Sequence, residues 1–169
     1  MQAIPTMVSA EEYLSTSFAD GDREYVDGVI VERNLGEKDH SNTQGELIYF
    51  FRVLRAKLGT FAFPEQRVQV SPTRFRVPDV CVYVGSAPEE QVFRTPPFLV
   101  IEVLSPDDRA SDVQEKIEDY LAFGVPFVWV IDPRTGRGYI HTPEGSREAK
   151  DGVLRTSNPA IELPLRELF

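Results

Sequence analysis

The stretch FLVIEVL at residues 98–104 decides the fold, because six of its seven residues are apolar. Such a run predicts a strand that is buried on both faces of a sheet. Glu102 interrupts it, and an ionised carboxylate in a buried strand is costly unless a charge, hydrogen bonds or a metal ion compensates it. Two interpretations follow: Glu102 faces solvent or pairs with an arginine at the strand end, or it belongs to a functional site.

A second strand with a buried pattern, VPDVCVYV at residues 77–84, carries an acid near its start. Pro78 suits a strand beginning because it cannot donate a hydrogen bond to the ladder. The Glu102 strand comes next, so Asp79 and Glu102 are expected on neighbouring strands. Two carboxylates there cannot both stay ionised in a dry site without a cation, and a hard ion such as Mg²⁺ suits them. The alternative is that Asp79 only caps the turn after Arg76.

The sequence before these strands predicts a short helix, a hairpin and a long helix. SAEE at residues 9–12 has the capping-box pattern that opens a helix. Asp27-Gly28 is a strong signal for a two-residue hairpin with strands at residues 23–26 and 29–33. After a polar loop at residues 36–41, TQGE at residues 43–46 repeats the capping-box pattern and opens an amphipathic helix that ends near Gly59.

The sequence beyond residue 60 predicts the rest of the sheet. Further strands are expected at residues 61–70, 127–131, 137–142 and 152–155, and a proline-rich loop at residues 85–97. A helix capped by Ser111 or Asp112 reaches about Phe123, and Gly124 ends it. The order indicates an α/β or α+β class, with a mixed central sheet flanked by helices and an N-terminal β-hairpin. Residues 1–169 are expected to form a single domain.

The helix after the Glu102 strand carries a third candidate. It places Asp112, Lys116 and Tyr120 on one stripe at spacings of four residues. Its N-terminal part is expected near the carboxyl end of that strand, so the Lys116 ammonium can reach the acids. There it can orient a water or neutralise charge on a phosphate. The alternative is an ordinary surface pair between Lys116 and Asp112.

The amino-acid composition is typical of a soluble globular protein. Hydrophobic residues make up 41% and charged residues 27% of the chain, which is the balance of a soluble globular protein. No apolar run approaches the roughly 20 residues of a membrane helix, and residues 1–6 lack the pattern of a secretion signal. Cys81 is the only cysteine, which excludes an internal disulfide and a thiolate metal cluster. A cytoplasmic protein without a membrane partner is expected.

The net charge of -9 argues against a protein that coats nucleic acid, because nonspecific affinity comes largely from phosphate neutralisation. It is compatible with an enzyme that contacts nucleic acid locally while a metal ion supplies positive charge. Cys81 and Trp129 are interpreted as core residues. His141 lies on a late strand, and the sequence shows no partner for it.

Several segments together resemble a known family. They are Pro78-Asp79, EVLSP at residues 102–106 with Asp108-Arg109, Lys116, Tyr120, Gly124-Val125 and VWVIDP at residues 128–133. The hairpin residues Glu24, Tyr25, Asp27 and Gly28 match as well, as does His40. From about residue 7 to the C-terminus, this combination resembles the bacterial putative restriction endonuclease family of the PD-(D/E)XK nuclease superfamily.

The resemblance implies a restriction endonuclease-like fold and hydrolysis of DNA phosphodiester bonds with Mg²⁺ or Mn²⁺. It implies that Asp79, Glu102 and the carbonyl of Val103 are metal ligands. Leu104 stands where the superfamily pattern has a lysine. The family resembles those members in which this lysine has moved to the following helix, so Lys116 takes that role. The implied catalytic residues are Asp79, Glu102 and Lys116.

Six further residues are candidates for the site. Glu24 can be the additional acid that many such nucleases bring from an N-terminal element, and Glu46 competes with it but already has a capping role. His40 can approach phosphate or metal from its loop, or can simply be solvated. The other three match the family around the Glu102 strand: Ser105, Asp108 and Tyr120. Ser105 and Asp108 can instead cap the helix that follows this strand.

Two functional hypotheses from different classes remain. The first is metal-dependent phosphodiester hydrolysis, with DNA as substrate and a homodimer where both strands are cut. The second is a catalytically inactive nuclease-fold protein that acts as an interaction module for a protein partner, motivated by the acidic charge and by Leu104. A third possibility is hydrolysis of another phosphoester by the same site.

Overall fold

The computed structural model describes residues 6–19, 21–34 and 36–169. The prediction that residues 1–6 lack a secretion signal concerns residues that, except for Thr6, lie outside these ranges. The helices are α1 (Ala10–Ser15), α2 (Lys38–Leu58) and α3 (Ala110–Phe123), with a 3-10 turn at Leu165–Glu167. The strands are β1 (Glu24–Val26), β2 (Val29–Val31), β3 (Thr60–Pro64), β4 (Val68–Ser71), β5 (Arg74–Arg76), β6 (Val80–Val84), β7 (Leu99–Val103), β8 (Phe127–Asp132), β9 (Arg137–Thr142), β10 (Gly145–Glu148), β11 (Val153–Arg155) and β12 (Glu162–Pro164).

The central sheet has six strands in the order β10-β9-β8-β7-β6-β3. Strands β6 and β7 pair antiparallel, so the expected adjacency of the two acid-bearing segments is confirmed. Strands β7 and β8 pair parallel, because α3 connects them and returns the chain to the same end of the sheet. The sheet is therefore mixed and flanked by helices, as the sequence predicts.

Helices α2 and α3 cover opposite faces of the central sheet. Leu47 and Phe51 of α2 pack on one face with Ile101 of β7, while Ile117 of α3 packs on the other with Val100. Side chains of a strand alternate between its two faces. Glu102 therefore lies on the same side of β7 as Val100, turned toward α3. Cys81 and Trp129 are fully buried, as expected.

The predicted hairpin forms, and it belongs to a second sheet in the order β2-β1-β5-β4. Its turn residues Asp27 and Gly28 have φ angles of 49° and 94°, the left-handed conformation that a two-residue hairpin requires. Strand β5 joins the hairpin to the rest of this sheet. Strand β5 was not predicted from the sequence, since its three residues are too few to show a period. The short strands β10 and β12, of four and three residues, were not predicted either.

The predicted start of the long helix is wrong. Residues 36–41 are not a loop throughout, because α2 begins at Lys38 and its N-cap, Glu37, makes no side-chain capping bond. The TQGE pattern lies inside the helix, and Thr43 is fully buried there. Packing of its apolar face, rather than a cap, stabilises this end of the helix. The capping box at residues 9–12 is confirmed at α1, as is Gly59 at the end of α2.

Two other predicted boundaries are wrong. Residues 61–70 do not form one strand, since a turn at Glu65, with a φ of 49°, separates β3 in the central sheet from β4 in the second sheet. Helix α3 begins at Ala110 after the N-cap Arg109, which makes no side-chain capping bond, so neither Ser111 nor Asp112 caps it. Gly124 ends it, as predicted. In the described part of the chain, no helix combines the length and apolarity that crossing a membrane requires.

Candidate functional site

A cleft of about 490 Å³ opens where the second sheet, the start of α2, the end of β7 and the first turns of α3 meet. Asp79, Glu102, Glu24 and Lys116 all line it. Apart from His40, its charged lining residues comprise nine acids and four bases. The cleft therefore attracts cations more strongly than phosphate groups.

Glu102 lies in this cleft with 6% of its surface exposed. Its Oε1 accepts a hydrogen bond of 2.6 Å from the hydroxyl of Tyr120, and Lys116 Nζ lies 3.7 Å from its Oε2. Burial raises the pKa of Glu102 to about 7, and the negative charge of Asp79 adds to the rise while Lys116 opposes it. The Glu102 carboxylate is thus held in one orientation by Tyr120, and Lys116 compensates its negative charge only in part.

Asp79 is buried directly before β6 and is held from several sides. Its Oδ2 accepts a hydrogen bond of 2.7 Å from the backbone N–H of Val103, which ties it to the strand that bears Glu102. Its Oδ1 lies 2.9 Å from Nη2 of Arg33 and 3.2 Å from Nε2 of His40. Burial raises the pKa of Asp79, but the hydrogen bond from His40 and the charges of His40 and Arg33 outweigh it and leave the pKa lowered. Asp79 is therefore ionised at neutral pH.

The Lys116 side chain extends from α3 into the cleft, toward Glu24 and Glu102, instead of forming the surface pair with Asp112 that was the alternative. Its Nζ lies 3.1 Å from Oε1 of Glu24 and 3.7 Å from Oε2 of Glu102. Burial lowers its pKa, but the charges of Glu102 and Glu24 outweigh that effect and leave the pKa raised. Lys116 and Tyr120 are one helical turn apart and both contact Glu102, which is the outcome expected from their shared stripe.

Glu24 reaches the cleft from β1 and is almost fully buried, with 1% of its surface exposed. Its Oε2 lies 3.0 Å from Nη1 of Arg76, and its Oε1 accepts a hydrogen bond of 3.1 Å from the N–H of Val77. Burial raises the pKa of Glu24, yet Lys116 and Arg76 outweigh this and lower it. Glu46, the competing candidate, is exposed on α2 and does not line the cleft.

The remaining candidates lie around these acids. His40 belongs to the first turn of α2 instead of a loop, and its hydrogen bond with Asp79 raises its pKa despite burial. Ser105 and Asp108 line the cleft, where Asp108 Oδ2 accepts a hydrogen bond of 2.7 Å from the Ser105 N–H. Asp108 Oδ1 also accepts one from Asn34, at 2.7 Å. Asp108 thus shapes the loop after β7 and links it to the hairpin segment.

Three residues that hold the acids were missed from the sequence. They are Arg33, which contacts Asp79; Gln44, whose Nε2 donates to the Asp79 carbonyl at 2.8 Å; and Arg76, which pairs with Glu24. Each partner lies more than 30 residues away in the chain, so no local spacing indicates the contact. The only signal for Arg33 is its position at the end of the second predicted hairpin strand, residues 29–33.

Apart from the His40 imidazole, the atoms of the cleft that can bind a metal are oxygens, which hard divalent cations prefer. Among residues 6–19, 21–34 and 36–169, no three or more His, Cys, Asp or Glu side chains form a group that could hold a metal ion. A cation here would take carboxylate oxygens of Asp79 and Glu102, the Val103 carbonyl, and waters or substrate oxygens. Mg²⁺ commonly binds in this way, through one or two carboxylates and several waters.

A mixed sheet flanked by helices, with Asp79 and Glu102 in one cleft, is consistent with a restriction endonuclease-like fold. The chain belongs to the Uma2 family, described as "Putative restriction endonuclease", whose profile matches residues 10–168. A solved structure, described as a putative nuclease belonging to DUF820 from Anabaena variabilis ATCC 29413, superimposes with a TM-score of 0.83. It is 23% identical in sequence, and the match covers 96% of this chain and 97% of that one. No curated protein matches the chain.

Proposed function

We propose that this chain is a metal-dependent endonuclease that hydrolyses phosphodiester bonds of DNA in the cleft between α2 and α3. The observation that carries the proposal is the convergence of Asp79, Glu102 and Lys116 from three separate elements on one cleft. Membership of a nuclease family supports it. Lys116 in this position supplies the cation that Leu104 cannot provide.

The acidic cleft fits a divalent cation, Mg²⁺ or Mn²⁺. Glu102 is buried, and burial together with the charge of Asp79 raises its pKa to about 7 even though Lys116 lies beside it, so a divalent cation would add favourable charge. Asp79, Glu102 and the carbonyl of Val103 would hold the ion, and the hydrogen bond from the Val103 N–H to Asp79 brings these donors to the same end of β7. A bound divalent ion acts as a Lewis acid toward a phosphate oxygen and lowers the pKa of water.

The chain's own residues position the substrate and compensate its charge. Tyr120 holds Glu102 in one orientation through their hydrogen bond of 2.6 Å, and Glu24 holds the Lys116 ammonium from the opposite side. Lys116 is therefore fixed where it can orient the attacking water and stabilise negative charge on the phosphate in the transition state. Such preorganisation costs no rearrangement during the reaction.

The proposal is tested by incubating purified protein with single- and double-stranded DNA in the presence of Mg²⁺ or Mn²⁺. The expected result is metal-dependent cleavage that Asp79→Ala and Glu102→Ala abolish. Glu46→Ala serves as the matched control, since Glu46 is an exposed acid on α2. Equal cleavage by the parent protein and by both cleft variants would contradict the assignment.

The second candidate is a nuclease-fold protein without catalytic activity that binds a protein partner. The ion pair between Arg33 and Asp79 favours it, because the guanidinium already compensates one of the expected metal ligands. It predicts no cleavage and no change of the melting temperature with Mg²⁺ or Mn²⁺. Metal-dependent stabilisation that disappears in Asp79→Ala would argue against it.

A further inference from the structure

A second pocket lies beside the cleft, on the α3 side of the central sheet. Helix α3 packs against β7 and β8 and leaves part of the neighbouring strand β9 uncovered. Tyr139 and His141 lie on this face of β9, and Arg134 lies at the turn before the strand. We call the pocket that these three residues form with Val113 and Ile117 of α3 the aromatic shelf; its volume is about 300 Å³.

Strand alternation explains why the shelf is aromatic. Gly138 and Ile140 are buried, and Ile140 packs in the core under α2. Tyr139 and His141, which alternate with them, therefore face the α3 side. Both are only half-buried. Burial lowers the pKa of His141, so its ring is neutral at neutral pH. The shelf thus offers two aromatic rings, an aliphatic wall, the Asp108 carboxylate and the guanidinium of Arg134, which pairs with Asp132 at 3.4 Å.

This combination of groups suits an unpaired nucleobase. Bases that are not in a duplex stack on Tyr and His rings and on arginine planes. Such stacking tolerates any base, because every base has a π face. A base inside a duplex is already stacked on its neighbours and cannot enter a pocket of this kind without being extruded.

The shelf adjoins the cleft. Four residues line both pockets, so the loop after β7 and the first turn of α3 form their common wall: Leu104, Ser105, Asp108 and Val113. A nucleotide whose phosphate lies at Asp79 and Glu102 therefore has the shelf beside it. Arg134, whose side chain is 51% exposed, can contact the next phosphate of the same strand.

Stacking also explains how a chain with an acidic net charge can bind DNA, whose phosphates are negatively charged as well. The net charge of -9 disfavours binding of DNA through general phosphate neutralisation. Base stacking adds affinity to that of the few phosphate contacts such a surface can make. On the basis of the proposed function, we infer that the aromatic shelf binds the nucleobase next to the cleaved phosphodiester, and that the substrate is single-stranded or locally unpaired DNA.

The test measures binding, so it does not depend on cleavage. Fluorescein-labelled oligothymidine and a duplex of the same length are titrated, by anisotropy, into the Glu102→Gln protein and into versions that also carry a shelf substitution. Tyr139→Leu and His141→Leu are each expected to weaken binding of the single strand about tenfold. Tyr139→Phe is expected to retain binding, because it keeps the ring. Tyr49→Leu is the matched control, since Tyr49 is 66% exposed on α2, away from both pockets.

Folding of each variant is checked by its melting temperature, and the Tyr139→Phe result separates loss of stacking from loss of structure. Unchanged single-strand binding in both leucine variants would overturn the shelf as a base site. Tighter binding of the duplex than of the single strand would overturn it as well. In either case cleavage that still requires Asp79 would leave the proposed nuclease function standing, whereas absence of any DNA binding or cleavage would overturn both proposals.

Discussion

The guanidinium of Arg33 lies 2.9 Å from Oδ1 of Asp79, and this ion pair is shielded from water, with side-chain exposures of 17% and 6%. Burial lowers the pKa of Arg33, but the negative charges of Asp79, Glu102, Glu65 and Glu24 together outweigh that effect and leave the pKa raised. Arg33 is thus a permanent cation on the carboxylate that we propose as a metal ligand. A divalent ion that takes Asp79 must compete with it.

Replacement of Arg33 tests that competition. We expect Arg33→Met to bind Mn²⁺ about tenfold more tightly, since the metal no longer displaces a charged hydrogen-bond partner. The affinity is measured by isothermal titration calorimetry, with Arg52→Met, an exposed arginine of α2, as the control. Unchanged or weaker binding in Arg33→Met would show that Arg33 and the metal do not share Asp79.

Metal affinity is expected to depend on pH through Glu102. Its pKa in the metal-free protein is raised to about 7, so below that pH an ion must displace a proton to bind the carboxylate. Affinity should fall about tenfold for each pH unit below 7 and level off above it. Calorimetry in buffers of different ionisation enthalpy measures the proton released. A constant affinity between about pH 6 and pH 8 would contradict a role for Glu102 as a ligand.

Glu24 and Glu46, the two candidates for the additional acid of the site, should differ in their contribution to the stability of the protein. Glu24→Gln removes the most deeply buried counter-charge of Arg76 and Lys116, although Asp119 still pairs with Arg76 and Glu102 with Lys116. Removing one partner of a buried ion pair costs about 3–5 kcal/mol, which is the upper bound for this change. Glu46→Gln changes an exposed side chain and should leave the free energy of unfolding unaltered. Urea denaturation compares them. Equal stability of the two variants would mean that Glu24 is not needed to hold Lys116 and Arg76.

Lys116 is expected to act in the reaction rather than in binding. Lys116→Met should lower kcat about 100-fold or more while KM for DNA changes little, because the ammonium stabilises charge that develops in the transition state. Steady-state kinetics give both parameters, and Lys57→Met on the exposed face of α2 is the control. A large rise in KM with unchanged kcat would instead make Lys116 a substrate-binding residue.

Local sequence patterns predicted the parts of the site that depend on local structure. The apolar run around Glu102 indicates a buried strand, and the next segment bearing Asp79 pairs with it as expected. The four-residue spacing of Lys116 and Tyr120 places both on Glu102. These predictions succeed because strand and helix periods fix which side chains share a face.

The contacts that compensate the acids could not be predicted in this way. Arg33 and Asp79 are 46 residues apart, and Arg76 and Glu24 are 52 apart. Their meeting depends on how the second sheet packs beside the central one. The start of α2 was misplaced because TQGE matches a capping box, whereas buried side chains such as Thr43 and Leu47 hold that part of the helix. Tertiary packing outweighs the local signal there.

We propose above all that Asp79 and Glu102 together hold a divalent cation. Anomalous diffraction from crystals soaked in Mn²⁺, measured near the manganese absorption edge, locates such an ion. We expect an anomalous peak bounded by oxygens of Asp79, Glu102 and the Val103 carbonyl, with Arg33 moved away from Asp79. A map without a peak there, with the Arg33–Asp79 ion pair intact, from protein that cleaves DNA in the same Mn²⁺ solution would disprove the proposed metal site.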